Sequence, residues 1–232
     1  MWPAFLIELL GYGPAGEVDM AKRALSIDPP AAGQLRALGS DDLPHDTLAL
    51  AKFLIGKILV RDSDDGRLSG RIVETEAYPP GDPACHARSG RTARNASLFL
   101  ARGHVYVYRA YGISLMLNIS SEREGVGAGV LIRAAEPLTG IAVMQRRRGL
   151  EDIYRLTKGP GCLAQAFGID ESLDGIAYGA GSAIWLADDG FNVARMGRSV
   201  RIGITRNADK PWRLFERGNR WVSGSARLNN AP

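Results

Sequence analysis

Alternating apolar and polar positions, broken by glycines and prolines, divide the chain from about residue 44 onward into short elements. Residues 47–55 predict a helix, with Asp46 as its N-cap and Gly56 as its stop. Residues 57–60 read as a strand, Asp64-Asp65-Gly66 as a turn, and residues 68–77 as the return strand. The two-residue period of that strand places Glu74, Glu76 and Tyr78 on one face and Val73, Thr75 and Ala77 on the other. A long polar loop follows at 79–95, a length at which loops are commonly functional or disordered. Two strands, 104–109 and 113–120, then flank Ala110-Tyr111-Gly112, where Gly112 suits the left-handed position of a three-residue hairpin loop. This register pairs Tyr108 with Ser114, Tyr106 with Met116 and His104 with Asn118. It leaves Tyr106, Tyr108, Met116 and Asn118 on one face and Tyr111 at the tip.

After a glycine-rich connector at 125–129, residues 130–134 predict a buried strand. Residues 140–148 predict a helix stopped by Gly149, and residues 162–167 a second one stopped by Gly168. Residues 182–186, 199–205 and 221–223 read as strands. Short helices among hairpin-connected strands imply the α+β class. The expected architecture is a single domain: a mostly antiparallel, curved β-sheet with surrounding short helices and a protruding β-hairpin. Residues 1–43, rich in Gly, Pro, Ala and Asp after an apolar start, are expected to be a flexible leader, with Met20 as an alternative start and residues 44–232 as the folded domain.

Composition narrows the class further. With 232 residues, 45% hydrophobic and 23% charged, the chain has ordinary globular usage and length enough to bury a core. The two cysteines, Cys85 and Cys162, are far apart and form no C-x-x-C pair. That disfavours a disulfide scaffold or Cys-rich zinc site and fits a reducing, cytoplasmic setting. No apolar run reaches the roughly 18 to 20 residues that span a bilayer. The net charge of +4 is small but uneven. Residues 83–121 hold five arginines (88, 91, 94, 102 and 109) and no acid, and residues 190–232 hold nine basic and two acidic side chains. Two such tracts suggest a surface that faces a polyanion, with solvated faces as the plainer explanation.

The chemistry-bearing residues concentrate near the first tract. Glu74 and Glu76 share a strand face about 7 Å apart, given ~3.4 Å per residue. One of them suits a general base and the other its structural neighbour; exposed strand carboxylates are the bland alternative. His86 suits a base, an orienting hydrogen bonder or a metal ligand, although Cys85, His86, His104 and Cys162 lack a zinc-site spacing. Tyr78, Tyr106, Tyr108 and Tyr111 stand beside the acid-free arginines, a combination suited to stacking on bases. Burial in a sheet would account for Tyr106, but not for a tyrosine at a hairpin tip, which is a candidate wedge. Lys158-Gly159-Pro160-Gly161 lacks the P-loop pattern and carries little weight.

The runs RIVETEAYPPGDPACHARSGRTARN (71–95), GHVYVYRAYGISLMLNIS (103–120), VLIRAAEPL (130–138), LTKGPGCLAQAFGID (156–170) and RIGITRNADKPWRLFERGNRWVSG (201–224) resemble the alkyladenine (3-methyladenine) DNA glycosylases over residues 44–224. The resemblance implies a monofunctional base-excision-repair enzyme. It would flip alkylated or deaminated purines out of duplex DNA and hydrolyse the N-glycosidic bond. By match, Glu76 is the base that activates water, with Arg133 and the backbone carbonyl of Ile202 helping to hold that water. Tyr78, His86 and Tyr108 line the base pocket, Asn118 rejects the 2-amino group of guanine, and Tyr111 fills the vacated stack. Arg91 and Arg94 are candidates for phosphate contacts. The resemblance implies no cofactor and no metal, damaged double-stranded DNA as the partner, no membrane, and a monomer associated with the nucleoid through DNA. A non-catalytic nucleic-acid-binding module with the same stacking face is the main alternative, since binding alone does not require Glu76. A metal-dependent hydrolase built on Glu74, Glu76 and His86 is a third reading.

Overall fold

The computed structural model describes residues 35–230. Nine strands form one sheet: β1 (Arg36–Ala37), β2 (Ile58–Ser63), β3 (Gly66–Tyr78), β4 (Val105–Ala110), β5 (Ser114–Ser120), β6 (Gly129–Thr139), β7 (Ile184–Asp188), β8 (Met196–Ser199) and β9 (Arg213–Glu216). Their order is β1-β7-β2-β3-β6-β5-β4, with β9 joining β3 to β8, and every pairing is antiparallel. Short helices at Thr47–Leu54, Ile141–Arg148, Pro160–Phe167 and Ala226–Asn229 surround the sheet, so the α+β expectation is met by one domain. Of the leader expected over 1–43, residues 1–34 lie outside the described residues. Residues 35–43 are folded: β1 pairs with β7, and Leu38 and Leu43 are buried. Among the described residues no helix is long and apolar enough to cross a membrane.

Local chemistry accounts for the helices. Asp46 accepts from the Ala49 N–H and caps Thr47–Leu54, whose Leu50, Ala51 and Leu54 are buried. Gly149 and Gly168 end the next two helices in the left-handed conformation. The main core gathers Leu50, Leu54, Leu59, Ile72, Leu117, Ile132, Leu163 and Phe167, from helices and sheet together.

Strand β3 is the spine. Residues 66–71 pair with β2 and residues 74–76 with β9, while β6 pairs along nearly its whole length. Register shifts against β6 between Ile72 and Thr75 mark a bulge. Before it, Leu68 and Ile72 enter the main core; after it, Ala77 does, and Thr75 donates its hydroxyl to the Ala51 carbonyl of the first helix. Val73 instead joins Phe215, Trp221 and Val222 in a second apolar cluster. The bulge thus exchanges the faces of the strand and turns Glu74, Glu76 and Tyr78 away from the main core. Simple alternation predicts their common face but not this exchange.

The hairpin differs from expectation by two residues. Its loop is residues 111–113, and Ala110 pairs with Ser114, Tyr108 with Met116 and Tyr106 with Asn118. An even shift preserves the faces, so Tyr106, Tyr108, Met116 and Asn118 stay together. Tyr111 adopts a left-handed φ of 51°, followed by Gly112 at 71°. In the last third, the strand expected at 199–205 is instead β8, which ends at Ser199 and leaves 200–205 irregular. Residues 221–223 form no strand, and β9 is an additional one.

Gly129 starts β6 where it presses on β5: a Cβ there would lie 2.8 Å from Leu98 Cδ2 and 2.9 Å from the Ile119 carbonyl oxygen. Gly129→Ala should lower stability by about 1–3 kcal/mol through overpacking against backbone. Urea unfolding checks this, and a midpoint equal to wild type would refute it.

Candidate active site

Glu74 and Glu76 are both fully buried, which removes the reading of them as solvent-facing strand carboxylates. Their environments differ. Glu74 Oε1 accepts from Arg213 Nε at 2.6 Å, Arg133 Nε at 2.8 Å and the Ser223 hydroxyl at 2.9 Å; its Oε2 accepts from the Ser223 N–H at 2.7 Å. Burial alone would raise its pKa, but the charges of Arg133 and Arg213 and the bonds from Arg213 and Ser223 hold it below the ordinary carboxylate range. The side chain is thus consumed as an anchor. Arg213 is equally occupied: it also donates to the Ser199 hydroxyl, the Ser223 carbonyl and Asn229 Oδ1, each at 2.8 Å.

Glu76 has a lighter set of partners. Its Oε1 accepts from the Ile202 N–H at 2.7 Å and faces Arg133 Nη1 at 3.2 Å; its Oε2 accepts from the Tyr78 hydroxyl at 2.8 Å. Arg133 therefore bridges the two glutamates. Burial would lower its pKa, but Glu76 and Glu74 together raise it, so it stays charged. The Tyr78 hydroxyl is pushed well above its ordinary value by burial and then by the Glu76 charge and hydrogen bond, so it keeps the proton it donates. Ile202 donates its N–H to Glu76, and it lies on irregular backbone rather than on the expected strand.

Tyr78 leads from this carboxylate to a cavity of about 260 Å³. Its wall includes Tyr78, Cys85, His86, Tyr106, Tyr108 and Asn118, and Arg94 and Tyr111 stand on its rim. Tyr106 and Tyr108 are stacked with centroids 5.5 Å apart, and the His86 ring meets Tyr108 edge-on at 4.3 Å. His86 Nδ1 lies 2.9 Å from the Tyr106 hydroxyl, so the buried tyrosine orients the imidazole. Partial burial and then the charge of Arg94 depress the His86 pKa, which favours the neutral ring at physiological pH. Tyr108 is pushed up to about 12 by burial and then by Glu76. Asn118 Nδ2 donates to the carbonyls of Tyr106 (3.1 Å) and Met116 (3.3 Å), which fixes the amide. Glu76 itself is not on the cavity wall; it lies behind Tyr78.

The loop carrying His86 is held by a residue the sequence reading passed over. Buried Asn95 donates to the carbonyls of His86 (2.9 Å) and Gly90 (3.0 Å) and accepts from the Thr92 N–H at 2.6 Å. The Thr92-to-Asn95 spacing is that of a capping box, and this is the one sequence signal that could have revealed it. Arg91 is exposed on the same loop, away from the cavity wall. At the hairpin tip Tyr111 is 88% and Ile113 80% exposed, the two exposed large apolar side chains among the described residues. The basic tail is not uniformly a surface feature, because Arg201 and Arg213 are buried in internal ion pairs. Lys158 Nζ donates to the Arg220 carbonyl at 3.0 Å. Among the described residues no three His, Cys, Asp or Glu side chains are placed to hold a metal ion.

A buried, hydrogen-bonded glutamate thus lies behind an aromatic cavity, and an exposed tyrosine stands on a hairpin at its rim. The family model for methylpurine-DNA glycosylase matches residues 41–220. A relative in Mesorhizobium japonicum is 54% identical over 191 residues, covering 82% of this chain and 92% of the relative. One in Paraburkholderia phytofirmans is 48% identical over 192 residues (83% and 90%), and one in Methanoculleus marisnigri is 41% identical over 182 residues (77% and 94%). All three bear the name "Putative 3-methyladenine DNA glycosylase". The chain belongs to the methylpurine-DNA glycosylase family, enzymes that hydrolyse N-glycosyl bonds in DNA.

Glu74→Gln would leave Arg133 and Arg213 buried beside a neutral amide, and should cost about 3–5 kcal/mol in chemical denaturation. The depressed folded-state pKa adds a pH dependence. The carboxylate's stabilisation is complete above the unfolded value of about 4.3 and is lost as pH falls through the lower folded value. Wild type should therefore lose stability in this acid window more steeply than Glu74→Gln; parallel stability–pH curves would refute the assignment.

Proposed function

We propose that this protein removes alkylated purines from duplex DNA by flipping the damaged nucleotide into the aromatic cavity and hydrolysing its glycosidic bond with water activated by Glu76. The observation that carries the reading is the contrast between the two glutamates. Glu74 is saturated by cationic and backbone donors. A carboxylate offers about four acceptor positions, and Glu76 accepts one hydrogen bond on each oxygen, with Arg133 as an ion-pair partner 3.2 Å from Oε1. Water fits the open position on Oε2, at the end that leads through Tyr78 to the cavity.

The chemistry follows from charge. Breaking the bond between base and sugar builds positive charge on the deoxyribose, which a nearby carboxylate stabilises while it takes a proton from water. Arg133 and the Ile202 N–H hold that carboxylate in place. A duplex base is out of reach of such groups, so it must first be extruded at a cost of a few kcal/mol. Tyr111, exposed at the tip, is placed to fill the gap left in the stack. Tyr78, Tyr108 and His86 supply stacking surfaces, and N-alkylated purines, being cationic, gain from aromatic faces. Asn118, on the cavity wall with its amide held by two carbonyls, would crowd a 2-amino group. Arg91 and Arg94, with the acid-free run of 83–121, form the phosphate-facing edge.

Glu76→Gln should keep lesion-DNA affinity and lower the single-turnover excision rate by at least about 100-fold. Excision at the wild-type rate would refute the assignment, and wild type that binds lesion DNA without releasing base would favour the binding-module reading. Tyr111→Ser should reduce excision from stably paired lesions more than from mismatched ones. Equal losses on paired and mismatched oligonucleotides would remove the wedge role.

A further inference from the structure

Arg201 lies outside the cavity but against its wall. Its guanidinium is fully buried and sandwiched between two rings, with Cζ 4.6 Å from the Tyr78 centroid and 4.9 Å from that of Trp212. Nη1 donates to the Ala77 carbonyl at 2.9 Å and to Asp82. Asp82 is itself buried and accepts from the Ala84 N–H and Asn207 Nδ2, each at 3.1 Å. Arg201 Nε has no hydrogen-bond partner among the described residues. A buried cation held this way, one residue before the Ile202 N–H that meets Glu76, is more than a surface charge turned inward.

Its position relative to Tyr78 has an electrostatic consequence. Tyr78 lines the cavity and Arg201 does not, so the ring stands between the guanidinium and the space where a base would stack. An aromatic face attracts cations through its quadrupole. A cation already on one face draws on that attraction and repels a second cation on the other. Glu76 acts in the opposite sense, because a phenol donating to a carboxylate has a more electron-rich ring. Tyr78 is thus set between an enriching anion at its hydroxyl and a depleting cation at its back.

We propose that Arg201 is a specificity-determining positioning residue: from behind Tyr78 it tempers the attraction of the pocket for cationic bases, so that the same wall also accepts neutral purines. The proposal rests on the cavity being the base pocket, as argued above.

The test compares wild type, the double variant Arg201→Gln/Asp82→Asn and the single variant Asp82→Asn. Each is titrated with three duplexes: one with 3-methyladenine (cationic), one with hypoxanthine (neutral) and one undamaged. The lesions are carried on a 2′-fluoroarabino sugar that resists cleavage. The readout is the ratio of the two lesion Kd values. The double variant removes both charges and keeps amides in their place, and should shift the ratio about fivefold toward the cationic base. Asp82→Asn leaves the guanidinium without its counter-charge and should shift the ratio the other way. A general loosening of the wall would weaken both lesion duplexes alike and move neither ratio. Unchanged ratios, or shifts of the same sign in both variants, overturn the proposal. If the double variant does not fold, Asp82→Asn decides alone, and no shift or a shift toward the cationic base overturns it. Wild type that binds neither lesion more tightly than undamaged DNA would instead overturn the pocket reading, and the role of Arg201 with it.

Discussion

The surroundings of Glu76 depend on one buried carboxylate whose oxygens are taken up by other side chains and backbone. Glu74 gathers Arg133 from β6, Arg213 from β9 and Ser223 from the segment after it around a single point on β3. Two cations and two anions, with Arg133 shared by Glu74 and Glu76, are buried together, which is costly unless their donors find partners. Arg213 distributes its remaining donors to Ser199, Ser223 and Asn229, so residues 199–229 are fastened to the sheet by polar contacts as well as by the apolar cluster of Phe215, Trp221 and Val222. That fastening encloses Glu76. Without it the second glutamate would face solvent, with neither Arg133 nor the Ile202 N–H fixed beside it.

The bulge in β3 is the other half of the arrangement. A regular strand would send Ile72, Glu74 and Glu76 to the same side, which would place carboxylates in the main core or core residues in the site. Inserting the irregularity between Ile72 and Thr75 lets one strand serve the core with one parity and the site with the other. The cavity is then assembled from separate pieces: Tyr78 from this strand, Tyr106, Tyr108 and Asn118 from the hairpin, and His86 from a loop pinned by Asn95. Tyr78, Tyr106 and His86 are oriented by polar partners, and Tyr108 by its ring contacts with Tyr106 and His86.

How much of this was legible in the sequence follows from which forces are local. Asp46 and the stops Gly149 and Gly168 act within one turn, and the helices they bound can be read directly. The common face of Glu74, Glu76 and Tyr78 follows from a two-residue period, and the hairpin face survives a register error because that error is even. The register itself depends on whether Tyr111 takes the left-handed conformation, which a bulky residue does at a cost and which glycine at 112 disguises. The inward turn of Arg201 and Arg213 was not readable, because nothing near them in sequence distinguishes them from the solvated arginines around them. Their partners, Asp82 and Glu74, lie more than a hundred residues away. The burial of both glutamates was hidden for the same reason: the cover comes from the far end of the chain.

Ile202 illustrates a kind of part that sequence comparison weighs badly. Its contribution to Glu76 is a main-chain N–H, which nineteen of the twenty amino acids can supply. The side chain at this position is therefore constrained by packing around Gly224 and not by the bond to Glu76. Proline alone lacks the donor. A position in this enzyme can thus look dispensable by every measure of side-chain identity and still be one of the three points that aim the carboxylate.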